Sequence, residues 1–300
     1  MSPKTLGIYL AIFSAIAYGL NPLGALFLYE ENLNVLSVVF YRFLFASIIL
    51  ALFLLYKKQN FFVSFKELLI LILLGVLFAF SAITLYSSFL FMDAGLASTI
   101  LFIYPVIVAI LMAVFYKEKS TFIEIFSIAL AFLGVMLLAS SKEANISYIG
   151  ILLVVSTSFL YSIYIIIVNQ YVKTTALKTT FYSMLFCTIT IFIISLFQDS
   201  YHLQALTNFN MWFFTLFLAL IPTVISLLFL VKAIQLIGST NASILGALEP
   251  LTAVFIGVFV FNEKLTFILI CGIILIIFAV FLIILKDRIF KILNKKSKEL

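Results

Sequence analysis

The stretch NASILGALEPLTAVFIGVFVFNEKLT, residues 241–266, places Glu249 directly before Pro250 in a segment otherwise apolar enough for a lipid bilayer. Hydrocarbon offers no hydrogen bonds, so an ionisable side chain there is costly and usually faces a protein-lined or watery interior. A similar stretch, ASTILFIYPVIVAILMAVFYKEKST, occupies residues 97–121. A shift of 145 positions aligns the two stretches and superposes Pro105 on Pro250. This register predicts an internal repeat of about half the chain.

Composition indicates the class of protein. Of the 300 residues, 65% are hydrophobic and 10% are charged, whereas a soluble domain averages about 25% charged residues. We therefore expect an integral membrane protein. The formal net charge of +6 is more simply explained by membrane orientation than by nucleic-acid binding, so no nucleic-acid partner is expected. One His, and two Cys without CxxC spacing, favour neither a metal site nor a disulfide framework, and no cofactor is expected.

The apolar runs are long enough to form membrane-spanning helices, because about 20 apolar residues cross a bilayer. Their continuity argues against the ten-residue alternation of a β-barrel. The predicted fold class is an all-α membrane protein with ten transmembrane helices. Their predicted bounds are Leu6–Leu28, Val35–Tyr56, Leu68–Phe91, Leu96–Tyr116, Thr121–Ser140, Tyr148–Val168, Thr180–Phe197, Met211–Leu236, Ala242–Phe261 and Leu265–Leu285.

The distribution of basic residues predicts the orientation, because cytoplasmic loops carry an excess of Lys and Arg. With a cytoplasmic N-terminus, the outer loops contain only Lys142 and Lys264, and the spans contain Arg42 and Lys232. The inner side collects Lys4, Lys57, Lys58, Lys66, Lys117, Lys119, Lys173, Lys178, Lys286, Arg288, Lys291, Lys295, Lys296 and Lys298. We expect both termini to be cytoplasmic, in a bacterial inner (plasma) membrane, with the basic tail close to anionic lipid.

Five spans per repeat is an odd number, so the second repeat must enter the membrane from the opposite side. The predicted organisation is a first five-helix repeat over residues 1–141, an inverted second repeat over 142–285, and a basic tail over 286–300. Inverted repeats are typical of secondary transporters, whose sites lie near the membrane midplane at the repeat interface.

The chain resembles the drug/metabolite transporter superfamily, and within it the EamA-type ten-helix transporters, over almost its whole length. The resemblance is carried by four phrases: Ala17-Tyr18-Gly19-Leu20-Asn21-Pro22, Tyr41-Arg42-Phe43, Ala97-Ser98 with Pro105 and Glu118, and Ala242-Ser243 with Pro250 and Glu263. The resemblance implies a central cavity lined by aromatic and small polar residues. It also implies that the substrate is an amino acid, another metabolite or a drug. The sequence departs from many members by Tyr18 and Tyr161 in place of Trp and by Lys232 in the eighth helix.

Aromatic and polar residues at central depth are the candidate substrate-binding residues, because a buried tyrosine hydroxyl usually finds a partner and its ring can stack on a substrate. The resemblance places Phe102 and Tyr104 before the fourth-helix proline and Tyr161 on the sixth-helix aromatic position. The full set of candidates in the cavity is Tyr18, Asn21, Tyr86, Phe102, Tyr104, Tyr161, Tyr164, Lys232 and Glu249.

The charged residues inside the spans allow two interpretations each. Lys232 and Glu249 form either a structural ion pair or a site in which Lys232 meets a substrate carboxylate or Glu249 accepts a proton. Arg42 either snorkels to the headgroups or pairs with Glu30 or Asp93, or it gates the substrate path. Pro105 and Pro250 each remove a helical hydrogen bond, and kinks at matched places in inverted halves favour a site or a gate.

These observations predict a non-enzymatic secondary transporter. Its predicted substrate is a small metabolite, such as an amino acid or a similar zwitterion, which moves through a wet central cavity by alternating access. The protein would act as an exporter or exchanger, and membrane lipid would surround it. Proton coupling through Glu249 is one energy source that the sequence allows. The alternative is a non-transporting membrane protein that handles lipid or assists assembly. The sequence contains no Gly-rich phosphate loop after a strand and no Ser/His/Asp set, which disfavours an ATP-driven pump or an enzyme.

Overall fold

The computed structural model describes residues 2–118, 121–140, 147–197, 202–259 and 266–296, and every regular element in these ranges is helical. The all-α class is therefore confirmed. The elements are α1 (Pro3–Tyr18), α2 (Asn21–Glu30), α3 (Val35–Tyr56), α4 (Phe65–Ser88), α5 (Ala94–Leu101), α6 (Tyr104–Tyr116), α7 (Phe122–Ser140), α8 (Tyr148–Tyr171), α9 (Ala176–Leu196), α10 (Phe209–Ala219), a π-helix (Leu220–Ile225), α11 (Ser226–Ile237), α12 (Ser239–Leu245), α13 (Leu248–Phe259) and α14 (Phe267–Lys296).

Seven stretches of the described chain are long and apolar enough to cross a membrane. They are Pro3–Glu30, Val35–Tyr56, Phe65–Ser88, Ala94–Tyr116, Tyr148–Tyr171, Ala176–Leu196 and Phe209–Ile237. The apolar parts of α7 and α14 are shorter, at Phe122–Leu137 and Ile270–Leu285, and the predicted ninth span is divided into α12 and α13. Large apolar side chains such as Phe13, Leu52 and Phe115 are exposed on the outside of the bundle, as expected for a surface that faces lipid.

Several spans are interrupted at a proline. The first span breaks between α1 and α2 before Pro22, the fourth between α5 and α6 before Pro105, and the ninth between α12 and α13 before Pro250. The eighth contains the π-helix, which includes Pro222. Proline lacks the N–H that would bind the carbonyl four residues earlier, so an α-helix that reaches it loses a hydrogen bond. The breaks leave backbone polar groups in the interior that side chains must satisfy.

Serine and threonine hydroxyls bind two of the carbonyls that prolines leave open. Ser158 in α8 donates to the carbonyl of Leu101, four residues before Pro105, at 3.1 Å. Thr223 donates to the carbonyl of Leu218, four residues before Pro222, at 2.7 Å. These hydroxyls therefore stabilise the interruptions, as expected in a membrane where water does not reach the backbone.

The helices pair in a reciprocal pattern. Helix α1 packs against α11, and α4 packs against α8. Helices α3 and α9 pack together, as do α7 and α14. Small residues permit the close approaches, which is common between membrane helices. A Cβ on Gly75 of α4 would lie 2.4 Å from the Cβ of Phe186 in α9, and one on Gly134 of α7 would lie 2.8 Å from the carbonyl oxygen of Gly272 in α14.

The connections meet at two opposite ends of the bundle. At one end, the backbone N–H of Asn34 donates to Gln204 Oε1 at 2.6 Å, and Glu31 accepts from the amides of Asn208 and Asn210 at 2.6 and 3.0 Å. At the other end, Lys178 Nζ donates to Asn60 Oδ1 at 2.6 Å, and Gln235 Nε2 donates to the carbonyl of Thr174 at 2.9 Å. We call these the 31–34 end and the 57–64 end.

The C-terminal segment differs from the prediction, which ended the last helix at Leu285. Helix α14 continues to Lys296. Residues 286–296 contain no Gly or Pro, and their Lys, Arg, Ile and Leu residues tolerate a helix well, so nothing local ends it. The predicted positions of Lys119, Lys142, Lys264 and Lys298 lie outside the described residues.

Candidate central site

A cluster of polar and aromatic side chains lies buried where the interrupted helices meet. It contains one cation, Arg42, and one carboxylate, Glu249, with exposed fractions of 1% and 7%. The tyrosines between them are also buried. A membrane interior makes such burial expensive, which is why ionisable groups there are candidate functional residues.

Glu249 and Tyr104, the two residues that precede the matched prolines, contact each other. The Tyr104 hydroxyl donates to Glu249 Oε1 at 3.2 Å. Glu249 lies in the first turn of α13, where the positive end of the helix dipole favours a carboxylate. The repeat register superposes Tyr104 on Glu249. Two residues that are 145 positions apart and precede the matched prolines therefore contact each other in the buried cluster.

Two glycines make room for this pair. A Cβ on Gly246 would lie 1.7 Å from Tyr104 Oη, and a Cβ on Gly19 would lie 2.6 Å from the carbonyl oxygen of Glu249. Any larger residue would displace its neighbour, so these positions suit glycine because of close approach and not because of an unusual backbone angle. The sequence reasoning quoted Gly19 in a motif but missed the role of both glycines.

The tyrosine rings form a continuous stack beside the carboxylate. Tyr18 and Tyr161 are nearly parallel, with an interplanar angle of 5° and centroids 6.0 Å apart. The Tyr104 ring meets Tyr161 edge-on at 4.9 Å, and Tyr164 continues the stack at 6.2 Å. Phe102 packs edge-on against Tyr104 at 6.1 Å. The structure thus brings the predicted aromatic residues of α1, α6 and α8 together.

Arg42 lies close to Tyr18 and is held by neutral groups. Its Nε donates to Thr223 Oγ1 at 2.6 Å, its Nη1 to Tyr86 Oη at 2.7 Å, and its Nη2 to the carbonyl of Pro222 at 3.4 Å. Its Cζ is 6.0 Å from the Tyr18 ring centroid. Arg42 therefore does not snorkel, and it does not pair with Glu30 or Asp93; that expectation was wrong. Counting residues from the helix end predicted a shallow position, but the side chain points into the bundle.

Tyr86 joins Arg42 to Asn21. Because the Tyr86 hydroxyl accepts from Arg42, its own proton is free to be donated to Asn21 Oδ1, at 3.1 Å. This hydrogen bond determines which way the Asn21 amide points, because only the amide oxygen can accept a hydrogen bond. Asn21 Nδ2 is then left buried without a hydrogen-bond partner among the described residues.

Lys232 is the predicted site residue that the structure does not bring to the cluster. Its side chain is exposed, whereas Val231, Ala233 and Ile234 are buried. The interior face of α11 is thus the apolar one. The structure contradicts the expected pairing of Lys232 with Glu249, because a helix turns neighbouring residues to different faces.

The π-helix supplies contacts that the sequence reasoning missed. Pro222 and Thr223 hold two of the three Arg42 nitrogens. Pro222 indicates an interruption of the eighth span, but the position 145 residues earlier is not a proline. No spacing in the sequence connects it with Arg42.

A small cavity borders the cluster. It has a volume of about 10 Å³ and is lined by Tyr18, Gly19, Asn21, Ser98, Glu249 and apolar neighbours. A volume of about 10–15 Å³ holds one water molecule, so this cavity between the described residues is too small for a metabolite. The described residues contain no cluster of three His, Cys, Asp or Glu side chains that can hold a metal ion.

A larger cavity, of about 460 Å³, opens on the side of the bundle. Ile49, Leu52 and Phe53 of α3 line it from one side, and Leu220, Val224 and Phe229 of the π-helix and α11 from the other. Its walls are apolar, and none of its lining residues lines the small central cavity. It is therefore a groove on the lipid-facing surface and not an opening to the polar cluster.

Comparison with known proteins supports a transporter. Residues 5–140 and 148–285 each match the family described as the EamA-like transporter family. An uncharacterized transporter of Archaeoglobus fulgidus is 28% identical over 127 residues, which are 41% of this chain and 44% of that protein. The uncharacterized transporter YdfC of Bacillus subtilis is 26% identical over 260 residues, which are 84% of this chain and 79% of YdfC.

The fold also occurs among solved structures. One crystal structure superposes with a TM-score of 0.76 at 14% sequence identity, over 96% of this chain and 98% of the other. At this identity the likeness concerns the fold alone. The alignment to the archaeal relative spans less than half of that protein's length.

Proposed function

The chain belongs to the EamA-like transporter family, and from this membership we propose that it is a secondary transporter that moves a small metabolite by alternating access. The observation that carries the proposal is the buried contact between Tyr104 and Glu249. A polar pair at the meeting point of two repeats is where transporters of this architecture bind their substrates.

The packing of the helices supports two inverted five-helix repeats over residues 1–141 and 142–285. In the proposed repeats, α1 corresponds to α8 and α4 corresponds to α11. The contact between α1 and α11 therefore corresponds to the contact between α8 and α4, and both contacts are present. The same exchange maps the α3 and α9 contact, and the α7 and α14 contact, onto themselves. A two-fold axis in the membrane plane explains this reciprocity, and alternating access needs such an axis.

The charges support a zwitterionic solute, such as an amino acid. Glu249 is a buried carboxylate that suits an ammonium group, and Arg42 is a buried guanidinium whose Cζ lies 6.0 Å from the Tyr18 ring centroid. The tyrosine stack offers faces for a cation or for a side chain. Lys232, which first suggested this class of solute, does not contribute because it is exposed.

We propose export or exchange across a bacterial inner membrane, with both termini in the cytoplasm. The excess of basic residues at the 57–64 end, which includes Lys57, Lys58 and Lys178, supports a cytoplasmic position for that end. The substrate gradient or an ion gradient would provide the energy. The transport step would be the opening of the central site first to one side of the membrane and then to the other.

Transport is tested with purified protein in liposomes. We expect at least one metabolite from an unbiased panel to raise the melting temperature, because a ligand stabilises the state that binds it. The same compound should be released from loaded vesicles faster than from protein-free vesicles. If no compound binds and none moves, the proposal fails.

Proton coupling depends on Glu249, the buried carboxylate of the site. Replacing Glu249 by Gln keeps an acceptor for Tyr104 but removes the ability to take up a proton. Coupling predicts that the flux of the wild type changes with pH and that the flux of Glu249→Gln does not. Glu30→Gln, which changes an exposed carboxylate away from the cluster, is the matched control. An identical pH profile in wild type and Glu249→Gln would exclude coupling through this residue.

Lipid handling is the second candidate function, and the lateral apolar groove is the observation that favours it. A headgroup would require polar residues, however, and the groove walls are apolar. Lipid handling predicts that fluorescent lipids move between leaflets in vesicles containing the protein. Movement of lipid without movement of any water-soluble solute would replace our first proposal.

A further inference from the structure

Arg42 is a buried cation without a buried anion to balance it. Its three nitrogens donate to a threonine hydroxyl, a tyrosine hydroxyl and a backbone carbonyl, all of which are neutral. No described carboxylate contacts it at hydrogen-bonding distance. A charge removed from water is normally paired, because the desolvation cost is several kcal/mol per ion. An anion from outside the protein would supply the missing partner.

A second, independent feature lies beside it. Asn21 is 2% exposed and its Nδ2 has no partner among the described residues. Asn21 also lines the central cavity, together with Glu249. Buried amide donors are nearly always hydrogen-bonded, and an orphan donor at a cavity indicates a group that the protein is built to receive.

We propose that Arg42 and Asn21 form the subsite that binds the carboxylate of the transported solute. The inference rests on the proposed transport of a zwitterion and specifies how the protein holds it. The solute's ammonium group binds Glu249, which lines the same small cavity as Asn21. Without the subsite, transport could still occur for amines that Glu249 alone would bind.

The guanidinium of Arg42 has N–H donors left to bind the carboxylate of the solute. Arginine carries five N–H donors in a planar fork that matches a carboxylate, and three of them are used here. The contact to the Pro222 carbonyl is the longest, at 3.4 Å. A carboxylate would replace it first, because an ionised acceptor binds more strongly than a neutral one.

This exchange would link binding to a structural change. Pro222 and Thr223 belong to the π-helix, whereas Arg42 belongs to α3. The Arg42 contacts therefore join α3 of the N-terminal half to the π-helix of the C-terminal half. A solute that takes over the guanidinium would loosen that connection at the moment when the two halves must move.

The test compares three related compounds for each common amino acid: the amino acid itself, its carboxamide and its decarboxylated amine. Affinity is measured with purified full-length protein by ligand-induced thermal shift, and transport by flux in liposomes. We expect the wild type to bind at least one amino acid about tenfold to a hundredfold more tightly than its amide or amine, as the loss of a charged hydrogen bond predicts.

Arg42→Gln should remove this preference. It should bind the three compounds with similar affinity, at the level of the amine in wild type. Lys232→Gln is the matched control, because Lys232 is also a basic residue within a span but is exposed, and its preference should equal that of wild type. If Arg42→Gln does not fold, Arg42→Lys keeps the charge and should retain a weaker preference for the carboxylate.

Three results would overturn the subsite. The first is a wild type that binds the amine or the amide as tightly as the amino acid. Arg42→Gln, or Arg42→Lys in its place, would weaken all three compounds equally if Arg42 were only structural. Wild type that neither binds nor moves any compound would overturn the subsite and the proposed function together. Selective binding without flux would instead support the subsite and contradict transport.

Discussion

Gly246 determines whether Tyr104 can reach Glu249. A methyl group on Gly246 would overlap Tyr104 Oη, at 1.7 Å, and would also approach the carbonyl of Ser243 at 2.9 Å. Backbone atoms surround it on one side, so the tyrosine must move. The residue that matters most for this contact thus has no side chain of its own.

We predict that Gly246→Ala destabilises the protein by about 1–3 kcal/mol, as expected for overpacking, and abolishes most of the transport. The Tyr104 ring would be displaced and its hydrogen bond to Glu249 lost. Melting temperature and liposome flux measure the two effects. Gly150→Ala is the control: the closest atom to the added methyl group is the terminal Cε of Met92, at 2.6 Å, which can move, and Met92 Cγ and Phe91 Cβ lie at 3.3 Å. Normal flux in Gly246→Ala would show that the contact is dispensable.

Glu31 provides a pH-dependent contact at the 31–34 end. The side-chain amides of Asn210 and Asn208 hold the pKa of its carboxyl below its usual value of 4.5. A depressed pKa means that the charged form is favoured in the folded protein. The contact therefore contributes to stability above the usual pKa, and the contribution is lost as the pH falls through the lower pKa of the folded state.

The prediction is that Glu31→Gln lowers the melting temperature slightly at about pH 7 and that the difference from wild type shrinks as the pH falls below the usual pKa of a glutamate and through the lower pKa of Glu31 in the folded protein. The effect should be small because the site faces solvent. The neighbouring exposed Glu30 serves as the control through Glu30→Gln. A difference that persists unchanged at acidic pH would mean that the carboxylate charge is not the cause.

At the scale of elements, the interrupted spans explain how a site forms inside an apolar bundle. Each of Pro22, Pro105, Pro222 and Pro250 coincides with a break or a π-helix. A continuous α-helix would use all its backbone groups internally and offer none to the interior. The breaks instead leave carbonyls that Ser158, Thr223 and Arg42 can bind.

Thr223 tests the role of the π-helix. Thr223→Val keeps the shape but removes the hydroxyl that accepts from Arg42 and donates to the Leu218 carbonyl. We predict a loss of about 1–3 kcal/mol in the free energy of unfolding, because two buried polar groups lose a partner. Thermal or chemical unfolding in detergent measures it. Thr190→Val is the control, since the Thr190 hydroxyl binds only the carbonyl of Phe186 in its own helix. Equal losses in both variants would contradict a special role for the Arg42 contact.

At the scale of the whole molecule, contacts join the connections at each end of the bundle. The 31–34 end is joined through Asn34 and Gln204, and the 57–64 end through Thr174 and Gln235. The small cavity of about 10 Å³ beside Glu249 is lined by residues between these two ends. Alternating access requires each end to separate in turn.

Cross-linking either end should therefore stop transport. We predict that Asn34→Cys with Gln204→Cys, treated with a short bifunctional thiol reagent, loses most of its flux, and that Thr174→Cys with Gln235→Cys behaves in the same way. Both pairs are made with Cys187 and Cys271 replaced by Ala. Each single-cysteine variant, treated identically, is the control. Flux that continues through a fully cross-linked protein would contradict alternating access.

Local properties of the sequence determined the class of this protein, most of its spans and its family. Hydropathy over about 20 residues reports whether a segment suits lipid, and proline disrupts helical hydrogen bonding wherever it falls. The register between residues 97–121 and 242–266 also placed Tyr104 and Glu249 at equivalent positions. All of these signals are read from the order of residues along the chain, so they could be predicted without coordinates.

Only the tertiary structure decided which charged residues take part in the site. Arg42 and Lys232 both lie within apolar spans, yet one is buried against Tyr86 and Thr223 and the other is exposed. A span with apolar residues on every side carries no periodic signal that distinguishes the face toward protein from the face toward lipid. That choice depends on which helices pack together, and the contacts that decide it join residues far apart in the sequence.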